Sequence, residues 1–465
     1  MSALLGLLAD DLCAQREYLA RGAISAVELV RAQIAAIDAT QPALNAFITL
    51  DRERALAEAA VSDARRKARQ VRALEGVSIA VKDNLDVAHY ITTAGMATRR
   101  EAPTATSDSA AVARLRDAGC VILGKLNMHE AALGADNDNP HFGACHNPHR
   151  IGHTPGGSSG GSGAAVAAGL ASAALGSDSM GSVRIPASYC GVVGLKPSYG
   201  TISPRGSVTV SRRLDHIGPV ARSVRDLTLL LDVLAGFDPD SAESRRQDLA
   251  PRRAGTLKLG IPAFDGIALD TDVALAFDAA LEVLESLGHR RLALPASRIE
   301  PGRARRAGLL VCEAEMLIEH DEAWRTRREQ FSPQLAKLLA WAETKSAADF
   351  AAADRLLDRA QCELQGWLAI ADVVVWPTTP QRAFAFGAPV PANQADLTCF
   401  ANMAGAPAVS VPMASGAGEL PIGLQFIGRI GDDYRLLGLA EIYSRAIGWR
   451  AAIPPAIAAL IEGER

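Results

Sequence analysis

Residues 156–169, GGSSGGSGAAVAAG, set three serines among six glycines. A hydroxyl held on a glycine-rich turn can attack a carbonyl or relay a proton, and such a turn can also cradle a phosphate. The phosphate reading needs G-x-x-x-x-G-K-[ST], and no lysine follows within the run. A dinucleotide fingerprint needs G-x-G-x-x-G between a strand and a helix, and these glycines are misplaced for it. Gly156–Gly160 does satisfy G-x-S-x-G, a nucleophile elbow, which calls for a carboxylate and a histidine elsewhere; His216, His289 and His320 are available. An S-x-x-K pair is absent at each of the seven lysines. A plain flexible loop is the remaining reading, but the run passes straight into GAAVAAG, whose small residues suit a helix packed tightly on a sheet.

Other residues invite chemistry less strongly. HFGACHNPHRIGH holds His141, Cys145, His146, His149 and His153, yet their spacing matches no standard zinc frame, so no metal is expected. His129 in NMHE reads as a structural histidine. The seven cysteines are scattered singly with no C-x-x-C, which fits reduced thiols in a cytoplasmic protein. Net charge is only −4, and arginines such as Arg303, Arg305 and Arg306 have acidic neighbours, which argues against nucleic-acid binding. No apolar stretch is long and uncharged enough to span a bilayer. The opening MSALLGLLADDLCAQ has no basic residue before its apolar run and reads as an amphipathic helix, not a signal peptide.

The elements that must position these groups alternate. SAVELVRAQIAAID carries Ser25 and Glu28 at capping-box spacing and sets Val30, Ile34 and Ile37 on one helical face. A second helix is expected over about 52–70. GVSIAVKDNLDV then reads as a strand of Val77, Ile79 and Val81, with Lys82 at its end. Asp108 is placed to cap a helix carrying Val112 and Leu115, which Gly119 ends before the strand CVILG. LKLGIP and the following DVALAFDAALEVLESLG repeat strand and helix. Residues 305–370 read as mostly helical, and ADVVVWPTTP as a buried strand. Strand–helix alternation points to an α/β fold with a mixed sheet. With no internal repeat and no low-complexity linker, residues 1–465 read as one domain.

GVSIAVKDNLDV, NMHEAALG, NPHRIGHTPGGSSGGSGAAVAAG and GSDSMGSVRIPASYCGVVGLKPSYG together resemble the amidase signature family of serine hydrolases. The resemblance is strongest over a core of about 75–225. It resumes at DVVVWPTTP and at ANMAGAPAVSVP and GELPIGLQFIG. It implies a central mixed, mostly parallel twisted sheet covered by helices, with a helical substrate-pocket region at about 300–370. It also implies a Ser–cis-Ser–Lys triad: Lys82 of VKDN, Ser158 after a cis peptide from Gly157, and the nucleophile Ser182 of MGSVRIP. Backbone N–H groups of Ser179, Met180, Gly181 and Ser182 would receive the oxyanion. Met180 stands where the family usually has glycine, which puts the substrate range in question.

The chemistry implied needs a lysine that is uncharged near pH 7. Lowering an ammonium from ~10.4 to ~7 costs roughly 4 to 5 kcal/mol, and burial after an apolar strand can supply that shift. Asp83 would point away from Lys82 if the strand period continues, and Asp178 and Arg184 are expected to pair and brace the loop. Ser159 is expected either to orient Ser158 or to cap the next helix. The resulting expectation is a cytoplasmic hydrolase of a carboxamide, carbamate or urea C–N bond in a small molecule, with no cofactor. The resemblance also suggests a homodimer. Three alternatives stay open: the A subunit of a tRNA-dependent amidotransferase, an esterase built on the G-x-S-x-G elbow, and a catalytically silent scaffold of the same shape. Trp324, Trp341, Trp367 and Trp376 could line a cleft or fill a core.

Overall fold

The computed structural model describes residues 3–249, 255–263, 267–413 and 419–463; Gly418 of GELPIGLQFIG and both ends of the 1–465 span lie outside the described residues. The opening stretch forms two helices, Ala3–Ala9 and Leu12–Arg21, with Asp11 capping the second by accepting from the Ala14 N–H. Ser25 and Glu28 form the expected reciprocal capping box at the start of the helix Ala26–Leu44. Val30, Ile34 and Ile37 are buried on its inner face. The next helix spans Arg52–Lys67. Asp108 does not cap the helix Ala110–Asp117. Its carboxylate takes the Ala88 N–H at 2.8 Å and pairs with Arg116 at 2.9 Å, and Ser109 stands at the cap position. A guanidinium is the stronger partner for a carboxylate, so the ion pair wins over the helix amides.

The strands of the first half are β1 (Phe47–Leu50), β2 (Ser78–Lys82), β3 (Val121–Leu126), β4 (Ala173–Asp178), β5 (Val193–Lys196) and β6 (His216–Ala221). The second half adds β7 (Lys258–Pro262), β8 (Arg290–Leu294), β9 (Val373–Pro377), β10 (Ala408–Pro412) and β11 (Gly423–Ile427). All join one sheet in the order β1-β3-β2-β4-β6-β5-β10-β11-β9-β7-β8. Helices cover both faces, so every residue of β2 to β6 and of β9 to β11 is buried.

The sheet is mixed, as expected, but it is not mostly parallel. Of its ten pairings six are antiparallel. Parallel pairing is confined to β3-β2-β4 and β9-β7-β8. There the helices Ala110–Asp117 and Thr271–Ser286 carry the chain back across the sheet, as a parallel neighbour requires. Between these ends the strands meet head to tail, as in β4–β6–β5 and β10–β11.

Helices Pro301–Glu319, Asp321–Thr326, Pro333–Glu343 and Ala347–Ile370 build a second apolar cluster beside the sheet. Trp324, Trp367 and Trp376 are buried within it, and the rings of Trp367, Trp376 and Phe400 meet edge-on or tilted at 6.1 to 6.4 Å. These three tryptophans are core. Trp341 lies outside, with the Arg306 guanidinium 3.9 Å from its ring centre. Among the described residues no helix is long and apolar enough to cross a membrane.

Candidate active site

The glycine–serine run forms a turn and then the helix Gly160–Ala167, every residue of which is buried. That helix has no polar face because it is wedged between the sheet and the helix Arg184–Tyr189. A methyl group at Gly161 would sit 2.4 Å from the Asn127 carbonyl oxygen, and one at Gly157 would sit 2.8 Å from that of Gly134. The glycines are there because backbone meets backbone. The Gly157–Ser158 peptide is cis.

Lys82 ends β2 with its side chain fully buried. Its Nζ donates to Ser158 Oγ at 2.7 Å and to Ser177 Oγ at 2.9 Å. Burial pulls its amine down to about 7, against the opposing charges of Asp215 and Asp178. The neighbouring carboxylate does not reach it: Asp83 points the other way, onto Lys125 of β3 at 2.8 Å and onto Thr93. Strand alternation thus separates the amine from the acid beside it in sequence.

Ser158 is fully buried, whereas Ser182 is half-buried. The Ser159 N–H donates to the Ser182 carbonyl at 3.2 Å, which ties the two serine-bearing loops together at the backbone. The Ser182 hydroxyl makes no hydrogen bond among the described residues. The structure therefore joins Lys82 to Ser158 directly and sets Ser182 on the adjoining loop. Ser159 takes neither of its expected roles. Its hydroxyl donates to the Ser177 carbonyl at 3.1 Å, so it steadies the strand end that carries the second hydroxyl on Lys82.

Ser177 is a contact that the sequence reading missed. It lies on β4 two residues from Leu175, which pairs with Val81 of β2, and it also accepts from Asn84 Nδ2 at 3.1 Å. The signal was its place at the polar end of an otherwise small and apolar strand.

The loop 179–182 hangs from a buried anchor. Asp178 accepts from the N–H groups of Gly181 at 2.7 Å and Val183 at 3.1 Å, and it pairs with Arg184 at 2.9 Å. Burial pushes its carboxyl up, but the Arg184 guanidinium outweighs that and holds it well below the usual carboxylate range. Arg184 in turn reaches Thr398, Asn402 and Gln425, as a brace between the sheet and the 398–402 segment. The expected Asp178–Arg184 pair is present. One expected oxyanion donor is not free: the Gly181 N–H is spent on Asp178, because the loop curls back over that carboxylate. The N–H groups of Ser179, Met180 and Ser182 have no partner among the described residues.

Met180 does not adopt a positive φ, so it fits where the family resemblance placed glycine, and Gly181 takes the left-handed position at φ 129°. The Thr398 hydroxyl holds the Met180 carbonyl at 2.6 Å. The Met180 side chain is buried against Gly308, where an added methyl would lie 2.8 Å from its sulfur. It joins the loop to the helix Pro301–Glu319.

The imidazole rings are engaged away from these serine hydroxyls; His129 touches Ser158 only by its backbone N–H, which donates to the Ser158 carbonyl at 3.1 Å. His141 Nε2 lies 2.8 Å from Glu130, His149 Nε2 lies 2.9 Å from the Cys190 carbonyl, and His146 packs edge-on to Phe386. His216 Nδ1 faces the Leu214 carbonyl at 2.7 Å. Among the described residues no three His, Cys, Asp or Glu side chains gather to hold a metal ion. The partner of Ser158 is an amine, not an imidazole.

The amidase family model matches residues 28–437. The glutamyl-tRNA(Gln) amidotransferase A subunit of Roseiflexus sp. (strain RS-1) is 38% identical over 477 residues, covering 94% of this chain and 96% of that protein. Among solved structures, a chain from a vestigial complex bearing on the origins of an s-triazine catabolic enzyme superposes with a TM-score of 0.89. It is 33% identical, covering 95% of this chain and all of that one. A 6-aminohexanoate cyclic dimer hydrolase complexed with substrate gives a TM-score of 0.85 at 29% identity, covering 97% of this chain and 99% of that one.

Proposed function

Because the chain belongs to the amidase signature family, we propose that it cleaves the C–N bond of a small carboxamide through an acyl group carried on Ser182. The neutral Lys82 amine takes the Ser158 proton as Ser158 takes the Ser182 proton, and Ser182 Oγ bonds to the substrate carbonyl carbon. The oxyanion accepts from the free N–H groups of the 179–182 loop. The proton then returns by the same path to the leaving nitrogen, the C–N bond breaks, and an ester to Ser182 remains. Water, deprotonated through the same relay, attacks that ester and frees the acid.

The observation that carries this reading is the 2.7 Å contact between Ser158 Oγ and an amine that burial has brought to about 7. An ordinary ammonium could not accept the proton. The arrangement also speaks against the esterase alternative, in which Ser158 would need a histidine. A cytoplasmic setting is supported by seven cysteines that form no disulfide. The test is a panel of aryl, alkyl, urea and carbamate amides. Turnover of one class by the wild type and its loss in Ser182→Ala would support the reading, and near-native turnover by that variant would refute it.

A second reading is favoured by the 38% identity, over nearly the whole chain, to the amidotransferase protein from Roseiflexus. It uses the same serine chemistry on glutamine and hands the ammonia to a partner-bound acceptor. Glutaminase activity that depends on a copurifying partner would decide for it.

A further inference from the structure

Two carboxylates, Asp178 and Asp215, act on the Lys82 amine. Asp178 is paired with Arg184. Asp215 has no cationic partner among the described residues. It stands one residue ahead of β6, which pairs with β4 through His216 and Asp178, so it faces Ser179 across the strand end. Its Oδ1 accepts from the Ser179 hydroxyl at 2.5 Å and its Oδ2 from the Val210 N–H at 2.8 Å. Lys82 flanks the same strand end from the other side, on β2.

We propose that Asp215 is a positioning residue with two tasks: it clamps the 179–182 loop through the Ser179 hydroxyl, and its uncompensated charge sets how readily Lys82 gives up a proton. The inference rests on the acyl-transfer reading above. The clamp places the first free N–H of the loop, that of Ser179. The charge acts through β4 and favours the ammonium form of Lys82.

The other titratable groups facing Asp215 leave this pairing of charges intact. Burial pushes the Cys312 thiol up and the Tyr199 phenol up, and it pushes the His216 imidazole well down, so all three are neutral near pH 7. Glu315, on the helix Pro301–Glu319, adds like charge. Burial raises Asp215 itself to about 6, the Ser179 hydroxyl and the Val210 N–H working the other way. Asp215 also lines a pocket of about 230 Å³ with Arg205, Ser207, Thr209, Arg212 and Glu243.

The test uses an alkyl fluorophosphonate, whose labelling rate at Ser182 reports the nucleophile without a known substrate. In the wild type the rate should rise with pH through about 7, as Lys82 loses its proton. In Asp215→Asn that rise should move down by roughly half a unit to one unit, because a charge favouring the ammonium is gone. Ser179→Ala breaks the clamp while leaving the carboxyl group in place, so the plateau should fall by roughly tenfold. Asp215→Glu keeps the charge and should keep the wild-type midpoint.

An unmoved midpoint in Asp215→Asn, with only a lower plateau, overturns the role in proton affinity. An unchanged plateau in Ser179→Ala overturns the clamp. If Asp215→Asn does not fold, Asp215→Glu decides the charge: a midpoint lowered by half a unit or more would overturn it. A wild-type rate that is flat across pH 6 to 8 overturns Lys82 as proton acceptor, and this inference with it. A wild-type rate that rises through about 7 with a midpoint unmoved in Asp215→Asn overturns this inference alone.

Discussion

Lys125 Nζ lies 2.8 Å from Asp83 Oδ1, with both side chains wholly buried. That ion pair keeps the acid next to Lys82 in sequence from neutralising it in space. A buried carboxylate left without its cation costs about 3–5 kcal/mol. Lys125→Met should therefore lower folding stability by about that much, read as a fall in urea midpoint with unchanged slope. A change under about 1 kcal/mol would mean that Thr93 and the local backbone suffice for Asp83.

Lys82 links activity to stability in opposite directions. Its folded amine titrates at about 7, and an unfolded lysine at ~10.4. Between those values the unfolded chain binds more protons, so stability rises with pH across that window, and below it the full cost stands. Lys82→Met removes the cost. The variant should be inactive at pH 7 yet at least as stable as the wild type, by up to roughly 4 kcal/mol. The gap should narrow as pH approaches 10. Urea titrations at pH 7 and pH 9.5 check this, and a variant less stable at both would contradict it.

Ser177 donates no proton to the relay, but its hydroxyl is the second one on the Lys82 amine, at 2.9 Å. Ser177→Ala removes the hydroxyl that accepts from Lys82 and from Asn84 and leaves a small strand residue, so the fold should persist. The rate of Ser182 labelling should fall by roughly tenfold, the equivalent of one lost buried hydrogen bond. An unchanged rate would show that Ser158 alone orients the amine.

Much of this site could be read from the chain. The apolar VSIAV stretch announced a strand end where an amine loses water, and the ordered motifs pointed to positions 82, 158 and 182. Other features depend on groups far apart in sequence. Nothing local says that the Gly181 N–H turns back onto Asp178, or that Ser177 and Asp215 converge from β4 and the edge of β6. Strand direction is non-local in the same way: the resemblance implies a mostly parallel sheet, while β4–β6–β5 and β10–β11 pair antiparallel. Trp324, Trp367 and Trp376 fill a core and Trp341 does not, because ring packing such as that among Trp367, Trp376 and Phe400 is a tertiary fact. Asp108 looked like a cap until Arg116 was seen beside it.

The central claim is that a neutral amine at Lys82 activates Ser182 by way of Ser158. Peptide mapping after fluorophosphonate treatment at pH 8, in the wild type, Ser182→Ala and Lys82→Ala, tests it most directly. One adduct is expected on Ser182 in the wild type, none in Ser182→Ala, and labelling slowed at least a hundredfold in Lys82→Ala. An adduct on Ser158 or another residue of the wild type, or undiminished labelling of Lys82→Ala, would contradict it.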